Sequence, residues 1–262
     1  AADWLRARGM CAMRGPMSPS MGSECGFLTN AFDVPPTFAM AYNPPYYLDL
    51  AQTCGCTPVR ELLAYAKPAA LPSPATGVRI AAQFGSDPRV CVRRLTRRGV
   101  MQDAAVIAAL YNECWADNWG FTPVTVAEVR EIIAALRLIG HEETALLAYI
   151  NGEAAGFYLA LPDLNQVLRG ARGRLGPGVL WRWFRRRRYI TRARTVMFGL
   201  KPRFRRTGLT ALLYCTADAF LRTHYREIEY GWLLDSNRAA RAMMDYIGAV
   251  ITKRYVIVER YL

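Results

Sequence analysis

The chain is poor in the residues that build several common kinds of active site. It has only two histidines, His141 and His224, among 262 residues, which excludes a histidine-rich metal site and argues against a Ser/His/Asp triad. Its seven cysteines are odd in number, and no second pair joins Cys54-Gly-Cys56 at zinc-ligand spacing. We therefore predict no metal site and interpret most of the cysteines as buried, reduced thiols.

Long apolar runs are also missing. No uninterrupted apolar stretch approaches the roughly 18–20 residues that span a bilayer. The first nine residues have neither an initiator methionine nor the apolar core of a signal peptide, and their pattern is typical of the last turns of a helix that ends at Gly9. These features predict a cytoplasmic protein whose chain begins within a domain.

Acidic residues are absent from Leu164 to Ala217, although this stretch holds 14 of the 34 lysines and arginines of a chain with net charge +13. Its segment "VLWRWFRRRRYITRAR" (179–194) has an apolar stripe at approximate helical spacing. Three interpretations are open: a helix whose aromatic residues dock on the domain, a contact with an anionic membrane surface, and, less favoured, a nucleic-acid-binding arm. The stripe comprises Val179, Leu180, Trp183, Phe184 and Ile190.

Residues from 88 onward show an ordered series of strand and helix signals. The order is β-α-α-β-β-β-α-β-α-β, by hydrophobic period and by start and stop residues. Asn151-Gly152 predicts a tight hairpin, and Thr125 with Glu128 predicts a capping box at the start of a helix. The stretch 68–87 is punctuated by proline and glycine and predicts a linker.

The most informative short stretch is "GLKPRFRRTGLTALLY" (199–214). A strand ends at Leu200, and residues 205–210 turn directly into a helix. The first N–H groups of a helix lack intrahelical partners and attract anions, and nearby arginines add charge. These residues alone leave two interpretations open, a phosphate-binding turn and an ordinary strand-to-helix turn with solvated arginines.

The order of elements, together with this turn, resembles the Gcn5-related N-acetyltransferase (GNAT) superfamily. The resemblance implies an α/β fold with a mixed, mostly antiparallel sheet flanked by helices. In the superfamily a turn of pattern Arg/Gln-x-x-Gly-x-Gly/Ala binds the pyrophosphate of acyl-CoA; Arg205 and Gly208 match, and Thr210 departs from it. The implied cofactor is acetyl-CoA or another acyl-CoA. Its implied binding residues are Phe198, Gly199, Leu200, Arg205, Arg206, Thr207, Gly208, Leu209, Thr210, Asn237 and Ala240.

One further position departs from the superfamily. Many members carry a tyrosine four residues before the glycine that ends the last helix, where it protonates the departing thiolate. Here that position is Met244, and Tyr246 lies about 200° around the helix from it. The expected proton donor is therefore absent, which leaves open whether the domain catalyses transfer.

The resemblance also indicates where an amine acceptor, a small molecule or a peptide, would bind. Asp117, Asn118 and Trp119 follow the first helix, and Asp163 and Asn165 follow the third strand. For a general base we expect Glu229 first and Asp235 second, because a base must reach the attacking amine directly or through one water.

A faint internal repeat suggests two related domains. "LRARGMCAMRG" (5–15) and "LRTHYREIEYG" (221–231) place a helix end, a strand and a glycine at the same offsets. "YNECWADNWGFTPVT" and "LPDLNQ" resemble a group of bacterial tandem GNAT proteins. We predict the C-terminal half of a first domain over 1–67, a linker over 68–87 and a complete domain over 88–262.

Three functions follow as hypotheses. The first is acyl-CoA-dependent transfer of an acetyl group to an amine. The alternative is a catalytically lapsed binding module that engages an anionic membrane or nucleic acid through the insertion 169–194. The third is transfer of an aminoacyl or longer acyl group. No feature of the sequence indicates an oligomeric state.

Overall fold

The computed structural model describes residues 1–18, 24–96, 99–136 and 144–262. The chain divides into two compact units, of which unit 1 comprises 1–66 with 230–262 and unit 2 comprises 67–229. Nowhere in these ranges is there a helix with the length and apolar character needed to traverse a bilayer.

The described elements follow one another in a mixed α/β order. The helices are α1 Ala2–Arg6, α2 Tyr47–Thr53, α3 Ala75–Gly85, α4 Ala104–Trp115, α5 Val126–Leu136, α6 Asn165–Leu168, α7 Pro177–Phe184, α8 Arg186–Tyr189, α9 Leu209–His224 and α10 Arg238–Tyr246. The strands are β1 Ala12–Gly15, β2 Met17–Ser18, β3 Glu24–Cys25, β4 Phe27–Leu28, β5 Thr57–Pro68, β6 Val90–Arg94, β7 Ala145–Ile150, β8 Glu153–Pro162, β9 Arg192–Leu200, β10 Glu227–Leu234 and β11 Val250–Tyr261.

Unit 2 is built on the antiparallel strands β6 to β9, paired in the order β9-β8-β7-β6. The tight turn between β7 and β8 has Asn151 at φ 51° and Gly152 at φ 78°, which confirms the hairpin. Leu110 and Cys114 of α4 pack on Leu147 of β7 and Phe157 of β8. The apolar spacing of the helix therefore buries one face against the sheet.

The capping box at the start of α5 is confirmed. The Glu128 N–H donates to the Thr125 hydroxyl at 3.2 Å, and the Thr125 N–H donates to the Glu128 carboxylate at 2.7 Å. This backbone hydrogen bond lowers the pKa of Glu128, because it favours the charged carboxylate.

Unit 1 contains a repeated helix–glycine–strand segment. α2 and α10 are each followed by a glycine in the left-handed region, Gly55 at φ 80° and Gly248 at φ 74°. Each glycine precedes a strand of 12 residues, β5 or β11, and these two strands pair antiparallel. The structure thus repeats this local sequence of elements, while the tandem-domain organisation stays a prediction.

Two expectations from the sequence meet specific structure. Within the predicted linker 68–87, residues 75–85 form α3, which packs on α9 within unit 2, while the role of this stretch as a linker between domains stays a prediction. All seven cysteines are free thiols, but the prediction that most are buried is wrong, because Cys25, Cys56 and Cys114 are buried whereas Cys11, Cys54 and Cys91 are exposed. Flanking apolar residues in sequence did not decide burial, because alternate residues of a strand face opposite sides.

Candidate active site

The turn between β9 and α9 is closed by its own residues. A short 3-10 turn, Pro202–Phe204, follows the strand, and Arg206 adopts a left-handed backbone at φ 63°. The Thr207 hydroxyl donates to the Phe204 carbonyl at 2.8 Å and accepts from the Leu209 N–H at 3.3 Å. One of the first N–H groups of α9 is therefore already bonded to a side chain.

Most cations near this turn have protein partners. Lys201 Nζ lies 2.9 Å from both the Glu113 and the Glu153 carboxylates, and Arg203 also pairs with Glu153. Arg205 donates to the Cys114 carbonyl at 2.6 Å and to the Leu200 carbonyl at 3.3 Å. These side chains join the turn to α4 and to the β7–β8 hairpin.

Arg206 is different from its neighbours. It is exposed and makes no hydrogen bond or ion pair with any residue that the structure describes. An arginine in a left-handed backbone at the entrance to a helix is unusual, and such conformations are enriched at functional sites. Arg206 is therefore the cation of this turn that is available to an anionic ligand.

Gly208 has a packing reason to be glycine. Its φ of −64° is open to any residue, so the backbone does not require it. A Cβ atom there would lie 2.6 Å from Cβ and Cγ of Phe84 on α3. The close packing of α3 on α9 thus accounts for the glycine, whereas phosphate approach at this residue stays a prediction.

We expect Gly208→Ala to lower the free energy of unfolding by about 1–3 kcal/mol, because the new methyl group overlaps Phe84. The same change should cost clearly less when Phe84 is first replaced by alanine, since only the preference of a helix N-cap for glycine over alanine then remains. Urea unfolding of the four proteins of this double-mutant cycle measures the coupling. Equal losses in both backgrounds would contradict the packing role.

The donor set of the turn fits a diphosphate-bearing cofactor. The 16-residue helix α9 directs its positive dipole end toward the turn, and Arg206 is unengaged within the described residues. Because Phe84 occupies the Cβ side of Gly208, phosphates would meet N–H groups and Arg206 on the other sides of the turn.

Strand β9 is irregular where it approaches the turn. Leu159 of β8 pairs with Met197, and Ala160 pairs with Thr195, so Val196 is an extra residue that forms a β-bulge. Bulges are enriched beside active sites, because they redirect backbone groups away from the regular ladder. Phe198, Gly199 and Leu200 follow this bulge and lead into the turn.

The predicted acceptor residues lie in two places in unit 2. Asp117 and Asn118 are exposed in the segment between α4 and α5, where the Asn118 N–H donates to the Trp115 carbonyl at 2.9 Å. Trp119 is half-buried in the same segment. Asp163 is buried, lies 3.8 Å from Arg192 and accepts from the Asn165 N–H at 3.2 Å. An acceptor role for these residues stays a prediction.

The predicted bases and the predicted cofactor-binding residues Asn237 and Ala240 have defined surroundings. Glu229 is buried on β10, with 1% of its surface exposed. In unit 1, Asp235 accepts from the Ser236 N–H at 2.8 Å, and the Asn237 side chain accepts from the Ala240 N–H at 3.1 Å. The Asn-x-x-Ala spacing is therefore that of a helix N-cap, which needs no ligand. Catalysis by either carboxylate stays a prediction.

Unit 2 also contains an apolar cavity of about 130 Å³ that sequence reasoning missed. It lies between the apolar faces of α4 and α5 and the strands β7 to β9. The Tyr158 hydroxyl is hydrogen-bonded to Thr195 at 2.7 Å, and burial raises the pKa of this tyrosine. The walls of the cavity include Val100, Ile107, Tyr111, Val129, Ile133, Ala145, Phe157, Leu159, Leu161 and Met197.

The helical spacing of α4 and α5 was the signal that could have indicated this cavity. It predicts two buried faces, but it gives no measure of how completely those faces fill the space against the sheet. An apolar lining favours apolar ligands; an engineered, enclosed cavity of about 150 Å³ binds benzene.

Comparison with known proteins gives two related sequences. No protein-family model matches the chain. The chain is 29% identical to "Bacterial ceramide synthase" of Caulobacter vibrioides over 271 aligned positions, which cover 100% of this chain and 70% of that protein. It is 28% identical to "Protein YghO" of Escherichia coli, over 100% of this chain and 69% of that protein.

Solved structures resemble the chain in fold at low sequence identity. A tandem GNAT protein from the clavulanic acid biosynthesis pathway aligns with a TM-score of 0.55 and 12% identity, over 99% of this chain and 66% of that one. A GCN5-related N-acetyltransferase from Sphaerobacter thermophilus aligns with a TM-score of 0.51 and 17% identity, over 86% of this chain and 57% of that one. The chain thus spans less than two thirds of either solved protein.

Proposed function

Starting from the GNAT fold that the chain adopts, we propose that the protein transfers an acyl group from an acyl thioester to a primary amine, and that a hydrocarbon chain of one substrate occupies the apolar cavity of unit 2. The cavity is the observation that carries the proposal. An acetyl group or a polar amine would leave an apolar cavity of this volume unfilled. A relative named as a ceramide synthase supports a substrate with an apolar chain.

The turn and strand β9 would hold the donor. Acyl-CoA is the donor that this fold implies, and when bound it supplies the activated thioester carbonyl and the thiolate leaving group. Arg206 and the N terminus of α9 would bind its phosphates, and N–H groups near the Val196 bulge would polarise the carbonyl. Arg205 would position the turn through its bonds to Cys114 and Leu200.

Amine activation needs a base, and thiolate departure needs a proton. Glu229 and Asp235 are our candidates for the base, acting directly or through water. Met244 is 4% exposed and has no proton to give, so the thiolate would leave unprotonated or take its proton from solvent. Attack by the neutral amine forms the C–N bond and breaks the C–S bond, with no covalent enzyme species.

A chain-length series tests the proposal. Each methylene group that enters an apolar cavity contributes about 0.8 kcal/mol, so affinity should rise about fourfold per carbon. Because the volume of the cavity is near that of a cavity that binds benzene, the rise in affinity should level off after roughly six carbons. Calorimetric titration with acetyl-, butyryl-, hexanoyl- and octanoyl-CoA and with the matching alkylamines shows whether the donor or the acceptor supplies the chain.

Matched variants locate the effect. Ala145→Phe fills the cavity from β7 and should abolish the chain-length dependence while leaving the affinity for CoA itself unchanged. Ala109→Phe adds the same group on the exposed face of α4 and should leave the dependence intact. Affinities independent of chain length in both series would overturn the assignment of the cavity.

The absence of a tyrosine at Met244 favours one second candidate function, a binding module without turnover. Release of free CoA thiol, measured with a long-chain amine present, separates the two. Chain-dependent binding without thiol release would support the binding module.

A further inference from the structure

The insertion between β8 and β9 presents large apolar side chains to solvent. We define the α7–α8 surface as residues 168–190. Leu175 is 77% exposed, Phe184 79%, Trp181 54% and Leu180 52%. Soluble proteins rarely expose several large apolar side chains so close together, and such clusters mark interaction sites.

The packing of α7 shows that this exposure is one-sided. Val179 is buried and Trp183, one turn later, is half-buried, so this face anchors the helix on unit 2. Leu180, Trp181 and Phe184 point away from the unit. The sequence placed Leu180 and Phe184 on the same stripe as Val179, but the structure separates them, because a short helix buries only the narrow face that touches its support.

Positive charge surrounds the exposed apolar groups. Arg185, Arg187 and Arg188 are exposed, and the Arg185 guanidinium lies 4.3 Å from the ring centre of Trp181. No aspartate or glutamate occurs from Leu164 to Ala217. Arginines that stand beside aromatic rings therefore face solvent without an acidic residue in their own stretch of chain.

We propose that the α7–α8 surface binds the interface of an anionic phospholipid bilayer. Its apolar side chains would enter the boundary between headgroups and acyl chains, and its arginines would contact lipid phosphates. Tryptophan and arginine are both suited to the boundary between headgroups and acyl chains, because each side chain has an apolar body and a polar end. The surface is independent of the apolar cavity, and it goes beyond the proposed transfer reaction.

A bilayer accounts for more of the surface than a nucleic acid does. Nucleic-acid-binding arms use arginines for phosphates and aromatic rings for stacking on bases. Leu175 and Leu180, both more than half exposed, would gain nothing from bases, but they would be removed from water in a lipid interface.

Vesicle co-sedimentation of the 262-residue chain tests the proposal. We expect binding to phosphatidylcholine vesicles that contain phosphatidylglycerol, and much weaker binding to phosphatidylcholine alone. Arg185→Gln, Arg187→Gln and Arg188→Gln together should lower binding to the anionic vesicles about 100-fold. Trp181→Ser with Phe184→Ser should lower it at least about 100-fold, because two aromatic side chains that would enter the lipid interface are lost.

Two controls match these variants. Arg79→Gln, Arg130→Gln and Arg222→Gln remove the same charge from exposed sites elsewhere in unit 2, and Val250→Ser with Tyr261→Ser removes exposed apolar groups from unit 1. Both should bind vesicles nearly as the parent does.

Three outcomes would overturn the proposal. One is no binding to anionic vesicles. Another is a loss of vesicle binding in the control variants as large as that in the variants of the α7–α8 surface. The third is binding that depends on the arginines but not on Trp181 and Phe184, together with tighter binding of a single-stranded oligonucleotide, which would assign the surface to nucleic acid.

Discussion

Lys67→Met is expected to lower the free energy of unfolding by about 3–5 kcal/mol, because it leaves the buried Asp218 carboxylate without its charge partner. The Lys67 and Asp218 side chains are 0% and 1% exposed, with Nζ and Oδ1 2.9 Å apart. Lys67 Nζ also donates to the Tyr214 hydroxyl at 2.7 Å, and the Ser73 hydroxyl donates to Asp218 at 2.5 Å. This network ties the end of β5 to the middle of α9.

The double variant Lys67→Met with Asp218→Leu separates pairing from packing. It should lose much less stability than either single variant, because no uncompensated charge remains buried. Urea unfolding, followed by circular dichroism, measures all three variants. Arg89→Met breaks the exposed pair with Asp87 and serves as the control, with no measurable change expected. Additive losses in the double variant would show that the charges are not coupled.

Arg206→Met is expected to weaken CoA binding about 10–100-fold without changing stability. Arg205→Met should instead lower stability, and it should weaken CoA binding less than Arg206→Met does, because Arg205 only positions the turn. Arg206 has no protein partner in the described parts of the chain, so its charge is available to a phosphate. Arg205 holds the Cys114 and Leu200 carbonyls, and its loss should cost about 1–2 kcal/mol of stability, since it is itself exposed.

Calorimetric titration with CoA and urea unfolding are made on the same two variants. A phosphate ligand at Arg205 would instead appear as lost affinity in Arg205→Met at unchanged stability. If Arg206→Met changes neither the affinity for CoA nor the stability, this turn is not part of the donor site. Gly208 itself is a poor position for such a test, because any side chain there overlaps Phe84.

Much of the fold of unit 2 could be predicted from local sequence signals. Asn151-Gly152 between two apolar strands favours a tight hairpin turn with both residues at positive φ. Thr125 and Glu128 cap the first turn of α5 by reciprocal hydrogen bonds. Such signals depend on a few adjacent residues, so they can be recognised without knowledge of how the rest of the chain folds. Together with hydrophobic period they predicted the order of elements from β6 to β11, apart from the short helices α6, α7 and α8 between β8 and β9.

The candidate site was less accessible to sequence reasoning. The turn pattern indicated correctly where β9 ends and α9 begins, but the residues that matched it were Arg205 and Gly208 rather than Arg206. The partners of Arg205 and Gly208, at Cys114 and Phe84, are distant in sequence. No pattern of neighbours along the chain can report contacts of that kind.

By itself the sequence determined the periodicity of the strands and helices, the caps and turns that end them, and the concentration of arginines between residues 164 and 217. Only the tertiary structure decided that α4 and α5 leave an apolar cavity, that Lys67 and Asp218 pair in the interior, and that Phe184 faces solvent. The physical reason is that local structure depends on short-range backbone and side-chain geometry, whereas burial, cavities and ion pairs depend on which remote surfaces meet.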